Sequence, residues 1–590
     1  MKPKRLFFVS AIFGLFSALS VACGGGDESS STPVPSPITT RTTAPIATTT
    51  AVATAAPVTT SSDTIMDKAT SSQLELDNIR YGGTLREPQQ FSNALDPKLN
   101  NSGMAGDTRW GYEKLLDWSP DFNDDYTHLV PRLAETWSQS SDLTTLTFKL
   151  RKGVKWHNLS PVNGREMVAD DVVFSMNRYR EKDAVNYVAY SDITSIETPD
   201  KYTVIVKIKE PNAFAVNDLF AGLDYVVPPE LVAEGNGSLS SKLIGTGPYI
   251  LKKFQFRQGS SHVRNPDYWD KDSKGNPLPY TDSIDVAFIT DAATNVAAFR
   301  SGQVDVPAAL SIDDIIALVK SNTDMRVWRH RSPAIGGQGF TFRTTKAPWN
   351  DIRVRGAFNH ALDKEKFGDI VVGEGRWDHS GPIPWPYVSN TPFTLDKLGP
   401  YANYDPAEAK RLLIQAGFKD GKIKVPTPLA AAQGSSYGPR TAAFQSLFKE
   451  NGIEIELLSM DFATYNPLYF QRSYSDIALT HHIFAQPNLN WFAQNKFNPV
   501  AAQNTAWIDD TELNRVLKEI KITVDPAKQK EYAKFLWDFD TLGSYTVWTP
   551  IGRSYYISSS RLRNNIRRIG PTRNATVILP WLADAPRSTP

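Results

Sequence analysis

Cysteine is almost absent: the 590-residue chain holds one, Cys23. One thiol cannot form an internal disulfide or build a thiolate metal cluster. An excess of either charge is missing too, because 64 Lys and Arg face 63 Asp and Glu. Without a basic surface for reading phosphates, nucleic acid is a poor partner. The HExxH zinc pair and the GxxxxGKS phosphate loop do not occur. Only His481 and His482 stand together among eight histidines. Adjacent residues in a strand point to opposite faces, so this pair is not expected to share a metal ion. No cofactor and no metal are expected, and no catalytic residue is assigned.

A long apolar run is also lacking. The run from Leu6 to Leu19, broken by Ser10, Gly14 and Ser17, is too short for an ordinary membrane-spanning helix. Lys2, Lys4 and Arg5 precede it, and Ser20 and Ala22 lead into Cys23 and three glycines. This is the layout of a signal peptide, 1–22, with a lipoprotein-type cleavage site. Cys23 is the expected lipidation site, which places the mature protein outside the cytoplasm, attached to the outer face of the membrane. Residues 23–77 are rich in Thr, Ser, Pro and Ala. Too few bulky apolar groups are present to offset the entropy of ordering them, so a disordered tether is expected.

Regular structure is legible beyond that point. Leu146, Phe148 and Leu150 alternate with polar neighbours, as do Val204, Val206 and Ile208. That period of two predicts half-buried strands. In YDPAEAKRLLIQAGF, Asp405 is a helix cap and Pro406 a first-turn residue. Ala409, Leu412, Leu413 and Ala416 form an apolar stripe, and Gly417 is a terminator. Strands and helices mix throughout, which predicts an α/β or α+β class of two or three domains.

The stretch from Leu133 to Arg178, LAETWSQSSDLTTLTFKLRKGVKWHNLSPVNGREMVADDVVFSMNR, resembles the signature region of the family 5 extracellular solute-binding proteins. GTGPYIL from Gly245, NPDYWDK from Asn265, ITDAATNVAAFRSGQVDV from Ile289 and APWNDIRVRGAFNHALDKEKFGDIV from Ala347 extend the resemblance. It implies an α/β fold of the type II periplasmic-binding-protein kind, with two lobes that close on a ligand. By that analogy lobe I is discontinuous, 78–340 plus 550–590, with an inserted subdomain at about 112–240. Lobe II is 341–549. The implied partners are a captured solute and the permease of an ABC importer, with a monomer as the acting unit.

The resemblance also marks a cleft. Asn101, Ser102, Gly103 and Met104 correspond to a loop that lines it from lobe I. Ser475 to Phe492, SDIALTHHIFAQPNLNWF, corresponds to the second cleft loop, and Tyr465 to a cleft aromatic. Many peptide-binding members carry in the second loop an Asp that pairs with the peptide ammonium. No Asp or Glu occurs here between Asp476 and Asp509. An ammonium without a counter-charge is costly to bury. His481, His482, Phe484 and Trp491, with Asn488 and Asn490, favour a neutral ligand by stacking and amide hydrogen bonds. An oligosaccharide is therefore the expected ligand and an oligopeptide the alternative. Trp385, in a Pro- and Gly-rich loop with Trp377 and Tyr387, is a further aromatic candidate. His157, Asp170–Asp171 and Asp509–Asp510 read as structural. An extracellular hydrolase would need a nucleophile, base and oxyanion set, whereas a sensory or scaffold lipoprotein would keep the same fold.

Overall fold

The computed structural model describes residues 75–89, 95–99, 106–118, 129–184, 187–220, 224–237, 239, 242–308, 310–322, 324–330, 338–384, 387–389, 393–430, 434–460, 477–479, 488–501, 503–564 and 579–586. Cys23, Asn101, Ser102, Gly103, Met104, Trp385, Tyr465, His481, His482 and Phe484 lie outside them.

Both alternating segments are strands. Thr145–Leu150 and Thr203–Ile208 pair in antiparallel register, with Leu146 opposite Val206 and Phe148 opposite Val204. Ala134–Gln139 and Ile193–Asp200 flank them in a four-stranded sheet. Its apolar face packs on the helix Ala169–Tyr179 and forms one core with Trp156, Met167 and Tyr225. A second four-stranded sheet orders Thr84–Gln89, Ser283–Phe288, Gly259–Arg264 and Tyr249–Gln255. Its first pair is parallel and the others are antiparallel.

The remainder is built separately. Gln338–Phe342 pairs on one side with Ile477–Leu479 and on the other with Thr546–Thr549. Ile423–Ala430 runs parallel to Ile453–Met460, and the helix Gly434–Glu450 lies between them in sequence. The helix Pro406–Gln415 follows its sequence pattern. Asp405 accepts the Glu408 N–H, Pro406 takes the first position, and Ala409, Leu412 and Leu413 are buried. Gly417 ends it at φ +94°, a left-handed conformation that side chains disfavour.

The buried apolar clusters do not mix across these parts. Four clusters draw on residues 79–327 and 557–585, whereas two draw on 340–547. These are the two lobes of an α/β fold, one of them discontinuous. Arg326–His330 pairs with Ser554–Ser558 in the first lobe, and Gln338–Phe342 pairs with Thr546–Thr549 in the second. The chain thus passes between lobes twice, and on each side its two strands are hydrogen-bonded to each other. Among the described residues no helix is long and apolar enough to cross a membrane.

The tether ends earlier than its composition implied. Glu75 donates its N–H to Asn564 and accepts from Asn564 Nδ2 and Trp581 Nε1 through its carbonyl. Its carboxylate meets Arg326 and Arg563. Glu75, Leu76 and Asp77, three residues at the end of a Thr/Ser-rich stretch, are too few to show a periodicity, so their docking was not legible.

Candidate functional site

The loop expected to line the cleft from lobe I, Asn101 to Met104, lies outside the described residues, and buried polar contacts hold the chain on either side of it. Before it, Asp96 pairs with Arg178 at 2.7 Å, both side chains being buried. After it, Asp107 accepts from His262 Nε2 at 2.9 Å and from the Ser260 hydroxyl. Ser260 and His262 belong to the strand Gly259–Arg264, so the lobe I sheet fixes where the segment returns. Trp110 lies edge-on to His262. Trp110 and Tyr112 are fully buried core, which settles their role as packing residues.

Two of the family-like blocks, GTGPYIL and NPDYWDK, converge on one carboxylate. Glu113 accepts from Thr246 Oγ1, Tyr268 Oη and Trp269 Nε1, each at 2.9 Å. Burial pushes its carboxyl up to about 7 against the pull of those three donors. His157 is equally structural: Gly245 N–H donates to Nδ1, and Nε2 meets the Gly247 carbonyl. Burial pushes its imidazole down to about 4. A Cβ on Gly245 would sit 1.8 Å from the Gly111 carbonyl oxygen, which explains glycine in GTGPY.

The part of the expected second cleft loop that lies outside the described residues, 480–487, follows the strand Ile477–Leu479, whose neighbour Gln338–Phe342 follows the first crossing. It ends at Asn488, which caps the helix Leu489–Phe497 by accepting the Trp491 N–H at 2.7 Å. That helix is held from behind by the buried pair Lys496–Asp540 at 3.0 Å. Asp540 also accepts from Trp548 Nε1, on the strand that leads to the second crossing. Trp491 is half-buried, with its ring edge-on to Phe492 at 5.4 Å. With Asn488 and Asn490 it makes up the part of the second cleft loop's expected binding set that lies within the described residues.

Asn488 and Asn490 are already engaged within the protein. Their side-chain amides donate to Asp218 of the opposite lobe, at 3.4 and 3.3 Å. Asn212 adds a third donor at 3.1 Å. Burial pushes the Asp218 carboxyl up to about 6, while the three amides and Lys521 pull it down. The loop has no Asp or Glu of its own between Asp476 and Asp509, and a carboxylate reaches its end from the other lobe. The acid comes from 270 residues earlier in the chain, where PNAFAVNDLF gives no sign of its destination.

The other candidates resolve into structure. Asp171 accepts the Val168 N–H and pairs with Arg165, and Asp510 caps the helix Thr511–Ile522. Trp377 donates to Asp369, and Tyr387 packs against Phe492. One GxSxG spacing, Gly434 to Gly438, places Ser436 in the first turn of the helix Gly434–Glu450. A nucleophile elbow holds its serine at the sharp strand-to-helix turn instead. Among the described residues no group of His, Cys, Asp and Glu is placed to hold a metal ion.

The profile described as bacterial extracellular solute-binding proteins, family 5 Middle, matches residues 128–504. The chain belongs to that family. Heme-binding protein A of Haemophilus influenzae is 25% identical to this solute-binding protein over 505 residues, covering 80% of this chain and 86% of the relative. Di/tripeptide-binding protein 2 of Pseudomonas aeruginosa is 29% identical over 381 residues, covering 60% and 67%. The periplasmic binding protein DppA from Helicobacter pylori, solved with the peptide STSA, superposes with a TM-score of 0.70. It is 20% identical and covers 86% of this chain and 99% of its own, which shows the type II fold of this family 5 protein.

Proposed function

We propose that this family 5 solute-binding protein captures a short peptide between its lobes and hands it to the permease of an ABC importer. The carrying observation is the seam where the second cleft segment ends, Asn488 and Asn490 against Asp218. Lobe closure there would enclose a ligand and exclude water. The oligosaccharide reading relied on those two amides to bind hydroxyls, and both are engaged within the protein. Relatives named for peptides support the peptide reading. The working unit is proposed to be a monomer of lobe I (78–340 and 550–590, with the insertion at about 112–240) and lobe II (341–549). It would be tethered through lipidated Cys23 on the stretch that precedes Glu75.

A thermal-shift panel tests the ligand. Di- and tripeptides with free amino termini should raise the melting temperature, by about 2.7 kcal/mol of stabilisation at a hundredfold excess over Kd. Peptides with blocked amino termini, oligosaccharides and metal chelates should not. Stabilisation by an oligosaccharide alone would restore the alternative. Cys23→Ala should release the protein from the membrane fraction.

A further inference from the structure

We propose that Asp218, Asn488 and Asn490 form a latch that holds the two lobes closed, separate from the two chain crossings. It rests on the two-lobe capture proposed above but not on the identity of the ligand. The argument begins with orientation. An asparagine amide can present either its oxygen or its nitrogen, and a latch needs nitrogen facing the carboxylate. On Asn488 the oxygen already accepts the Trp491 N–H, which turns Nδ2 outward to Asp218. On Asn490 the oxygen accepts from Gln494 Nε2, which leaves Nδ2 for Asp218. Gln494 is itself held by the Leu517 carbonyl. Lobe II therefore fixes both donors by contacts of its own.

Lobe I prepares the acceptor in the same way. Asn212 donates to Asp218, its side-chain oxygen accepts the Phe214 N–H, and its carbonyl accepts from Gln139 Nε2. Gln139 ends a strand of the inserted subdomain. Two further contacts flank the latch: Ala213 N–H donates to the Lys521 carbonyl at 2.8 Å, and Lys521 Nζ meets Glu210 at 3.2 Å. Each half is built before the halves meet, so closing costs little further ordering.

The latch responds to protons. Opening would return Asp218 to water and to the ordinary carboxylate range, whereas closure pushes it up to about 6. The closed form thus binds the proton more tightly. Its advantage is fully present below the ordinary carboxylate value and is lost as pH rises through about 6. The charged group facing Asp218 is Lys521, which itself pairs with Glu210. Lys496, the cation of helix Leu489–Phe497, is bound to Asp540 instead.

Pulsed electron resonance on the full, ligand-free chain tests this, with non-cysteine spin labels at the exposed Phe256 and Val500, one on each lobe. The oxidised Asp218→Cys/Asn490→Cys protein supplies the closed reference distance. The closed-to-open ratio of the parent protein should rise about tenfold from pH 7.5 to pH 5. Asp218→Ala should lower the ratio and remove its pH dependence, and Asn488→Ala/Asn490→Ala should lower it at both pH values. Circular dichroism confirms that each variant is folded; Asn490→Ala, which keeps the helix cap, replaces the double variant if that one is not. Distances in the Ala variants that match the parent at both pH values would overturn the latch. So would a parent distribution without the locked distance.

Discussion

Two carboxylates, the buried Glu113 and the half-buried Asp218, share a chemistry and differ in purpose. Each accepts from three side chains, and burial raises each above the usual carboxylate range. The donors to Glu113 are Thr246, Tyr268 and Trp269, all of the same lobe and all at 2.9 Å. The donors to Asp218 lie at 3.1 to 3.4 Å, and two of the three belong to the opposite lobe. A carboxylate satisfied within one lobe is a permanent fastening, because only unfolding exposes it. A carboxylate satisfied across lobes can be released by a rigid-body motion that leaves both cores intact. Hydrogen-bond count alone does not separate the two; the ownership of the donors does.

The comparison breaks most sharply at Glu113. Glu113→Ala would leave three buried donors without an acceptor and should cost about 3 kcal/mol, read by urea unfolding. A loss below about 1 kcal/mol would show that water replaces the carboxylate. A pH series refines this. The Glu113 carboxyl is raised in the folded protein, so its contribution is complete below the ordinary carboxylate value and lost as pH rises through about 7. Unfolding free energy of the parent should therefore fall relative to Glu113→Gln by about 2–3 kcal/mol between pH 4.5 and 7.5. Parallel curves for the two proteins would refute the assignment.

Glu75 offers a milder case, a clasp within lobe I at the end of the tether. Removing residues 1–74 should leave the melting temperature unchanged. Removing 1–77 should cost about 1–2 kcal/mol, since the hydrogen bonds to Asn564 and Trp581 go with it. The smallest effect is expected for Asp218→Ala, whose unfolding free energy should change by less than about 1 kcal/mol. The lobe contact can be lost by opening of the lobes, which leaves both cores intact. A loss as large as that of Glu113→Ala would place Asp218 among the permanent fastenings.

Much of the scaffold was open to reading from local pattern. The strands around Phe148 and Val206 and the helix capped by Asp405 depend on period and capping, which act over a few residues. The binding region was less legible. Asn488 and Asn490 looked like ligand donors because their neighbours in sequence are polar and aromatic. Their partner is set by how two lobes meet.

What the chain determined by itself is therefore local and compositional. One cysteine beside an apolar run, a Thr/Ser-rich stretch and family-like blocks led to an anchored two-lobed binding protein as the expectation. The family match and the fold then confirmed the binding protein. Tertiary structure decided which side chains share a carboxylate, where the tether becomes part of the body, and that a seam without its own acid receives one from elsewhere. Periodicity and capping are properties of a few consecutive residues. A contact spanning 270 positions depends on the closure of two separately packed cores, and no short window of sequence contains both.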